Sequence, residues 1–134
     1  MSAKPFLDTN VLVYALANDA RKKRIAEELL LGRPCLSVQV INELVSVGVR
    51  KLGYSREASI AAARMVMGTC EVLPMDIQDV ERAFQLTERY RFVHWDALIL
   101  AVALRYNCDV VYSENLQHSQ EIAPHLTVVN PFAE

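Results

Sequence analysis

Five short apolar segments recur along this chain, and longer stretches with helical periodicity separate them. Strands joined through helices pair in parallel, because each crossover returns the chain to the same end of the sheet, and helices then cover both faces. We therefore predict an α/β fold, a three-layer α/β/α sandwich with a short-stranded, mostly parallel central sheet. The predicted strands are Lys4 to Leu7, Cys35 to Ser37, Glu71 to Leu73, Asp109 to Tyr112 and Leu126 to Val129.

The chain has 134 residues and contains no linker, repeat or low-complexity tract. This length is enough to bury a substantial core, so we expect a single domain over residues 1–134. Four residues of types that cap helices mark predicted helix starts: Asp19, Ser37, Ser55 and Asp76. The helices are expected at about 11–17, 19–30, 38–52, 56–67, 76–90 and 95–106.

Two of these helices have patterns that predict how they are buried. Ile77, Val80 and Phe84 repeat at intervals of three and four residues, so they are expected to face the core, and Ala83, Leu86 and Tyr90 widen this apolar face. The helix over residues 95–106 is apolar nearly all round, which predicts burial on more than one side.

Polar residues directly follow two of the predicted strands. Asp8 comes after the first strand, and the triplet Ser113-Glu114-Asn115 comes after the fourth. The carboxyl ends of parallel strands share one edge of the sheet, which is where ligands bind in such folds. The strand ending at residue 37 leads at this edge into the helix that carries Glu43. The sequence thus predicts an acidic site there.

Each acidic residue has a structural explanation as well as a functional one. Asp8 could cap the following helix, although Thr9 and Asn10 are also capping residues and only one is needed. Asp96 could satisfy the N–H groups at the start of the most buried helix. Glu43 lies inside a helix, so capping does not explain it, but a solvated position remains open.

As a set, these residues indicate a metal site. Three or four oxygen ligands without Cys or His suit a hard divalent cation, Mg²⁺ or Mn²⁺. Such a cation acidifies a water into a nucleophile and stabilises the leaving oxygen of a phosphate ester. Neighbouring carboxylates repel one another, so a bound cation should relieve strain in the site.

The net charge of -2 conceals an uneven distribution. Residues 1–67 carry a balance of +4, concentrated at Arg21–Arg24 and Arg50-Lys51, whereas the rest carries -6. Such basic clusters can attract a polyanion, or can simply be solvated helix surfaces. Together with the acids, they favour hydrolysis of single-stranded or looped RNA.

Other features indicate the compartment. Three cysteines, Cys35, Cys70 and Cys108, lie far apart beside apolar segments, which is typical of reduced core thiols. No apolar stretch approaches the roughly 20 residues of a membrane span, and the N-terminus lacks a secretory signal pattern. We expect a cytoplasmic protein.

The segments Phe6-Leu7-Asp8-Thr9-Asn10-Val11-Leu12, Trp95-Asp96-Ala97-Leu98-Ile99 and Tyr112-Ser113-Glu114-Asn115, with Glu43 between them, resemble a PIN domain. The resemblance spans essentially the whole chain and is greatest to VapC-type toxins of toxin–antitoxin pairs. It implies a metal-dependent endoribonuclease in which Asp8 and Asp96 bind Mg²⁺ or Mn²⁺ and Glu43 completes the acidic cluster. Thr9 and Ser113 would orient carboxylates, with Asn10, Glu114 and Asn115 as further supporting residues.

The resemblance also implies partners. Such toxins commonly form homodimers and are neutralised by an antitoxin peptide across the active site. The helix over residues 56–67 has more apolar residues than one packing face needs, so it is a candidate contact for either partner. The alternative is that this helix is sandwiched inside the domain.

One position departs from the family pattern, which usually has an Asp where this chain has Asn115. An amide oxygen can still bind a metal, but the site loses one negative charge. Glu114 would compensate only if its loop rotated, and Ser119 stands where the family often has Gly. A degenerate PIN fold that binds RNA or protein without catalysis therefore remains an alternative.

Phosphoryl transfer through an aspartyl-phosphate on Asp8 is a second enzymatic alternative. The haloacid-dehalogenase pattern requires an acid two residues later, where this chain has Asn10. A phospho-receiver domain would need an acidic pair at the first strand and a Lys at the last, and neither is present.

Overall fold

The computed structural model describes residues 4–133, so the two ends of the predicted 1–134 domain lie outside the described residues. A six-stranded sheet has the strand order β3-β2-β1-β4-β6-β5. All neighbouring strands pair in parallel except β5 and β6, which are antiparallel. The strands are β1 Pro5–Leu7, β2 Cys35–Ser37, β3 Glu71–Leu73, β4 Val110–Tyr112, β5 Glu121–Ile122 and β6 Leu126–Val129.

Six helices connect the strands and flank the sheet, which confirms the predicted α/β class. Helix α1 begins two residues earlier than expected, because Asp8 and not a later polar residue is its N-cap. The helices are α1 Thr9–Leu16, α2 Ala20–Leu31, α3 Val38–Arg50, α4 Arg56–Thr69, α5 Ile77–Tyr90 and α6 His94–Arg105.

The core lies between the sheet and its helices. Eight consecutive residues of α6, numbers 97–104, are buried, as the all-round apolar pattern predicted. The thiols of Cys35, Cys70 and Cys108 are free and buried, and burial raises the pKa of each. Over residues 4–133, no helix is both long and apolar enough to cross a membrane.

Helix α5 buries only part of the predicted face. Ala83 and Leu86 are buried as predicted, together with Asp79, but Ile77 and Phe84 are 77% and 48% exposed. The Asp79 carboxylate accepts hydrogen bonds from Arg105 of α6 at 2.8 and 2.9 Å. This interhelical ion pair fixes the buried face, so the prediction for Ile77 and Phe84 was wrong.

Helix α4 is not sandwiched inside the fold. Ile60, Met65 and Met67 are 38%, 73% and 50% exposed, while Ala63 and Val66 of the same helix are buried. An apolar surface on this helix is therefore open to solvent in the single chain.

Candidate active site

The parallel register brings the predicted polar residues to one edge of the sheet. Leu7 of β1 pairs with Tyr112 of β4, so the residues that follow both strands are adjacent. The backbone N–H of Asp8 donates to the Tyr112 carbonyl at 3.0 Å, and that of Ser113 donates to Val129 at 3.0 Å. These bonds fix the backbone on which the site is built.

Asp8 is at the centre of a hydrogen-bond network. Its Oδ1 accepts from the backbone N–H of Thr9 at 2.7 Å. Its Oδ2 accepts from Ser113 Oγ at 2.8 Å and from Asn10 Nδ2 at 3.0 Å. The carboxylate thus caps α1 and also joins the ends of β1 and β4.

The environment of Asp8 disfavours its charge. The side chain is only 4% exposed, and this burial raises its pKa from 3.8 to about 6. Hydrogen bonds from Ser113 and Thr9 oppose the rise, while the nearby carboxylates of Asp96 and Glu43 add to it. A cation at this point would offset the repulsion between the three acids.

Glu43 is tied to the same network from α3. Its Oε1 accepts from Thr9 Oγ1 at 2.9 Å and from Gln39 Nε2 at 3.4 Å. Gln39 Nε2 also donates to the backbone carbonyl of Trp95 at 3.1 Å, which links α3 to the start of α6. Sequence reasoning missed Gln39; its position one turn before Glu43 was the available signal.

Asp96 lies in the first turn of α6 and is partly buried, which raises its pKa. The N-cap of that helix is Val93, whose side chain makes no capping hydrogen bond. The position of Asp96 still complements the helix dipole. Side-chain capping, however, is not what holds its carboxylate at the site.

Asp8, Glu43 and Asp96 line one groove with a cavity volume of about 590 Å³. The other end of the groove is lined by Arg50 and Lys51, from the end of α3 and the residue after it. The groove thus has an acidic centre and a basic end, an arrangement suited to a ligand with both metal-binding and phosphate groups.

Glu114 and Asn115 also line the groove, but their side chains differ in environment. Glu114 accepts hydrogen bonds from Tyr14 Oη at 2.8 Å and from Lys22 Nζ, which also lies 4.5 Å from the Tyr14 ring centroid. Burial raises the pKa of Glu114, but these two hydrogen bonds outweigh it and the pKa is lowered. Its carboxylate is thus already paired with an ammonium group.

The start of the loop that carries Glu114 is fixed by two backbone hydrogen bonds. The Glu114 backbone N–H donates to Asn10 Oδ1 at 2.9 Å, and that of Asn115 donates to Ser113 Oγ at 3.3 Å. Asn115 itself is exposed. Lys22 was grouped from sequence with the basic cluster Arg21–Arg24; its pairing with a residue 92 positions away had no sequence signal.

The donors in this groove suit a hard cation. Four carboxylates, those of Asp8, Glu43, Asp96 and Glu114, line it without Cys or His, and within the described part of the chain the first three are free of a basic partner. Between Lys4 and Ala133, no three His, Cys, Asp or Glu side chains approach closely enough to enclose a metal ion. Mg²⁺ does not need such a cage, because it keeps several waters and is often held by one or two carboxylates and substrate phosphates. The residues present therefore fit this kind of cation.

The sequence matches the PIN domain family over residues 6–120, and the chain therefore belongs to the PIN domain family. Comparison with curated proteins gave no significant match.

Solved structures of similar fold come from bacterial toxin–antitoxin systems. A toxin–antitoxin complex from Klebsiella pneumoniae is 22% identical, with 98% of each chain covered and a TM-score of 0.71. VapC20 of Mycobacterium tuberculosis, a sarcin–ricin loop cleaving toxin, is 22% identical over 84% of this chain and 90% of that one (TM-score 0.69). A DNA-bound VapBC from Salmonella typhimurium is 25% identical over 95% and 97% of the two chains (TM-score 0.68).

Proposed function

We propose that this chain is a metal-dependent endoribonuclease that hydrolyses RNA phosphodiester bonds and serves as the toxin of a toxin–antitoxin pair. The observation that carries the proposal is the groove in which Asp8, Glu43 and Asp96 converge, with Arg50 and Lys51 at its other end. Membership of the PIN domain family, whose members are typically nucleases, supports it.

In this proposal Asp8 and Asp96 hold Mg²⁺, with Mn²⁺ as the alternative. When bound, the cation supplies Lewis-acid activation of water and of the phosphate. Glu43 completes the negative charge around the cation and is oriented by Thr9 Oγ1. Ser113 Oγ and Asn10 Nδ2 orient the Asp8 carboxylate, so both act as positioning residues.

The basic end of the groove would bind substrate. Arg50 and Lys51 are exposed, and Arg50 Nε donates to Ser46 Oγ at 2.9 Å. Their charges would contact phosphates flanking the bond that is cut, and binding should weaken as salt concentration rises. An acidic centre alone would repel the substrate, so this basic end supports a polyanionic ligand.

The proposed partners are an antitoxin and a second copy of the chain in the cytoplasm. The Klebsiella and Salmonella structures are of toxin–antitoxin complexes. The exposed apolar residues of α4, Met65 and Met67 among them, are the proposed contact. Light scattering of the purified chain tests the homodimer, and a strict monomer would contradict it.

The nuclease is tested by incubating a mixed-sequence RNA with partner-free protein in Mg²⁺, Mn²⁺ or EDTA. We expect cleavage with either metal, none in EDTA, and none from Asp8→Asn or Asp96→Asn. Glu88→Gln, at an exposed acid of α5, is the matched control and should cleave as the parent does. Undiminished cleavage by Asp8→Asn would show that the mechanism is wrong.

A second candidate is a binding module without catalysis, favoured by the amide at Asn115 and by the pairing of Glu114 with Lys22. Both features reduce the negative charge available to a cation. The Asn115→Asp variant separates the candidates. If the parent does not cut RNA and this variant does, the natural site is degenerate and the binding function is favoured.

A further inference from the structure

A second cavity adjoins the acidic groove. It has a volume of about 420 Å³ and lies between α3 and the start of α6. Its walls are mainly apolar, with Val38, Met75 and Trp95 as the large contributors. Glu43 lines both this cavity and the acidic groove, so the two spaces share a carboxylate of the proposed active site.

Trp95 dominates the surface of this cavity. It is 60% exposed, and Val38 beside it is 43% exposed, so neither is needed to fill the core. Its backbone carbonyl accepts from Gln39 Nε2, and its ring packs edge-on against His94 at 5.5 Å between centroids. The Trp95 backbone is thus anchored to α3, and much of the indole surface is open to a ligand.

The chemistry of this cavity matches one part of the proposed substrate. We propose that it takes an unpaired nucleobase of the RNA strand whose phosphate enters the acidic groove, with the base stacked on Trp95. The inference rests on the proposed RNA substrate. The inference also predicts that the RNA is single-stranded or unpaired at this nucleotide. A base that is paired and stacked inside a duplex cannot turn outward to stack on the Trp95 ring.

The position of the ring supports a base over other occupants. Trp95 and Asp96 are consecutive, so the indole and a proposed metal-binding carboxylate are held by the same helical turn. A strand with a phosphate at Asp96 would therefore pass near the ring, and Glu43 is the side chain that the two cavities share. Any of the four bases can stack on an indole, so the site would select RNA that is unpaired at this nucleotide and would not select a particular base.

Trp95 is the only tryptophan in the chain, so its fluorescence reports on this cavity alone. We would titrate the protein with a short mixed-sequence oligoribonucleotide in EDTA, which prevents metal-dependent cutting, and follow both fluorescence and anisotropy of a labelled strand. We expect saturable quenching by the oligonucleotide and none by an abasic strand of equal length and charge.

Variants give the energetic test. Trp95→Ala should weaken oligonucleotide binding roughly 5- to 150-fold, the range for loss of one stacked base. Trp95→Phe should restore most of the affinity, because it keeps an aromatic face. Leu31→Ala, which removes another exposed apolar side chain, is the matched control and should bind as the parent does.

The outcomes separate this site from the nuclease itself. If the oligonucleotide binds by anisotropy without quenching, and Trp95→Ala binds equally well, the base site is refuted while the nuclease proposal stands. Quenching without cleavage in Mg²⁺ or Mn²⁺ would refute the nuclease and leave the base site in place. If Trp95→Ala converts a dimer to a monomer with unchanged RNA affinity, the cavity is a contact between copies and the proposal is wrong.

Discussion

Replacing Asp8 by Asn should make the metal-free protein more stable while it removes catalysis. Burial raises the pKa of Asp8 from 3.8 to about 6. At a pH above both values, the ionised carboxylate therefore disfavours the folded state by about 3 kcal/mol. Asparagine has the same shape without the charge, so this penalty disappears.

The gain in folding stability is partly offset because Asp8→Asn loses one hydrogen bond. The Thr9 N–H can still donate to an amide oxygen, and the Ser113 hydroxyl can rotate to accept from the new amide. Asn10 Nδ2, which donates to Asp8 Oδ2 at 3.0 Å, would face another donor. Losing that bond costs about 1 kcal/mol, which leaves a net stabilisation of about 2 kcal/mol at pH 8.

The sign of the effect depends on pH. Because the folded pKa of Asp8 lies above the unfolded one, protonation favours the folded parent, and this contribution is lost as pH rises through about 6. The advantage of Asp8→Asn should therefore fall from about 2 kcal/mol at pH 8 to less than 1 kcal/mol at pH 5.

Urea unfolding in EDTA at several pH values measures this directly, with Glu88→Gln as the control for removing an exposed charge. EDTA matters because a bound cation would stabilise the parent and hide the effect. A variant that is less stable than the parent at pH 8, or whose advantage does not change with pH, would refute the reasoning. It would mean that the environment of Asp8 does not disfavour its charge.

Asn115→Asp should add a charge to the groove, lowering the metal-free melting temperature and enlarging the rise caused by Mg²⁺, as differential scanning fluorimetry would show. Arg105→Met should leave the buried Asp79 carboxylate without its cation, so the free energy of unfolding measured with urea should fall by about 2 kcal/mol. This loss is smaller than for a fully buried ion pair because the guanidinium is partly exposed. In Gly48→Ala a new Cβ would lie 2.4 Å from Ser59 Oγ, so the free energy of unfolding should fall by about 1–3 kcal/mol. Adding Ser59→Ala should restore part of that loss in a double-mutant cycle, whereas a strictly additive pair would contradict the packing argument.

The starts of α2, α3 and α4 could be predicted because capping is local. The side chain of Asp19 accepts from the backbone N–H three residues later at 3.1 Å, and Ser37 and Ser55 do the same at 3.4 and 3.1 Å. The edge at which the site forms followed from parallel pairing alone. Both inferences needed only neighbouring residues and the rule that parallel strands end together.

The remaining features depend on contacts that no local pattern contains. The buried face of α5 follows from the ion pair between Asp79 and Arg105, which are 26 residues apart. The two-residue strand β5 exists only because it pairs with β6, and it has too few residues for an alternating pattern. Likewise, Lys22 was one of four adjacent basic residues, and only the fold selects it as the partner of Glu114.

The structure also bears on whether Asp8 is only a helix cap. Its carboxylate does cap α1, as the structural explanation required. However, Ser or Asn caps a helix about as well and carries no charge into a buried position. Here the charge is buried beside two other carboxylates, which raise its pKa further. Capping alone would favour a neutral residue at this position, so the buried charge supports the cation-binding role that we propose for Asp8.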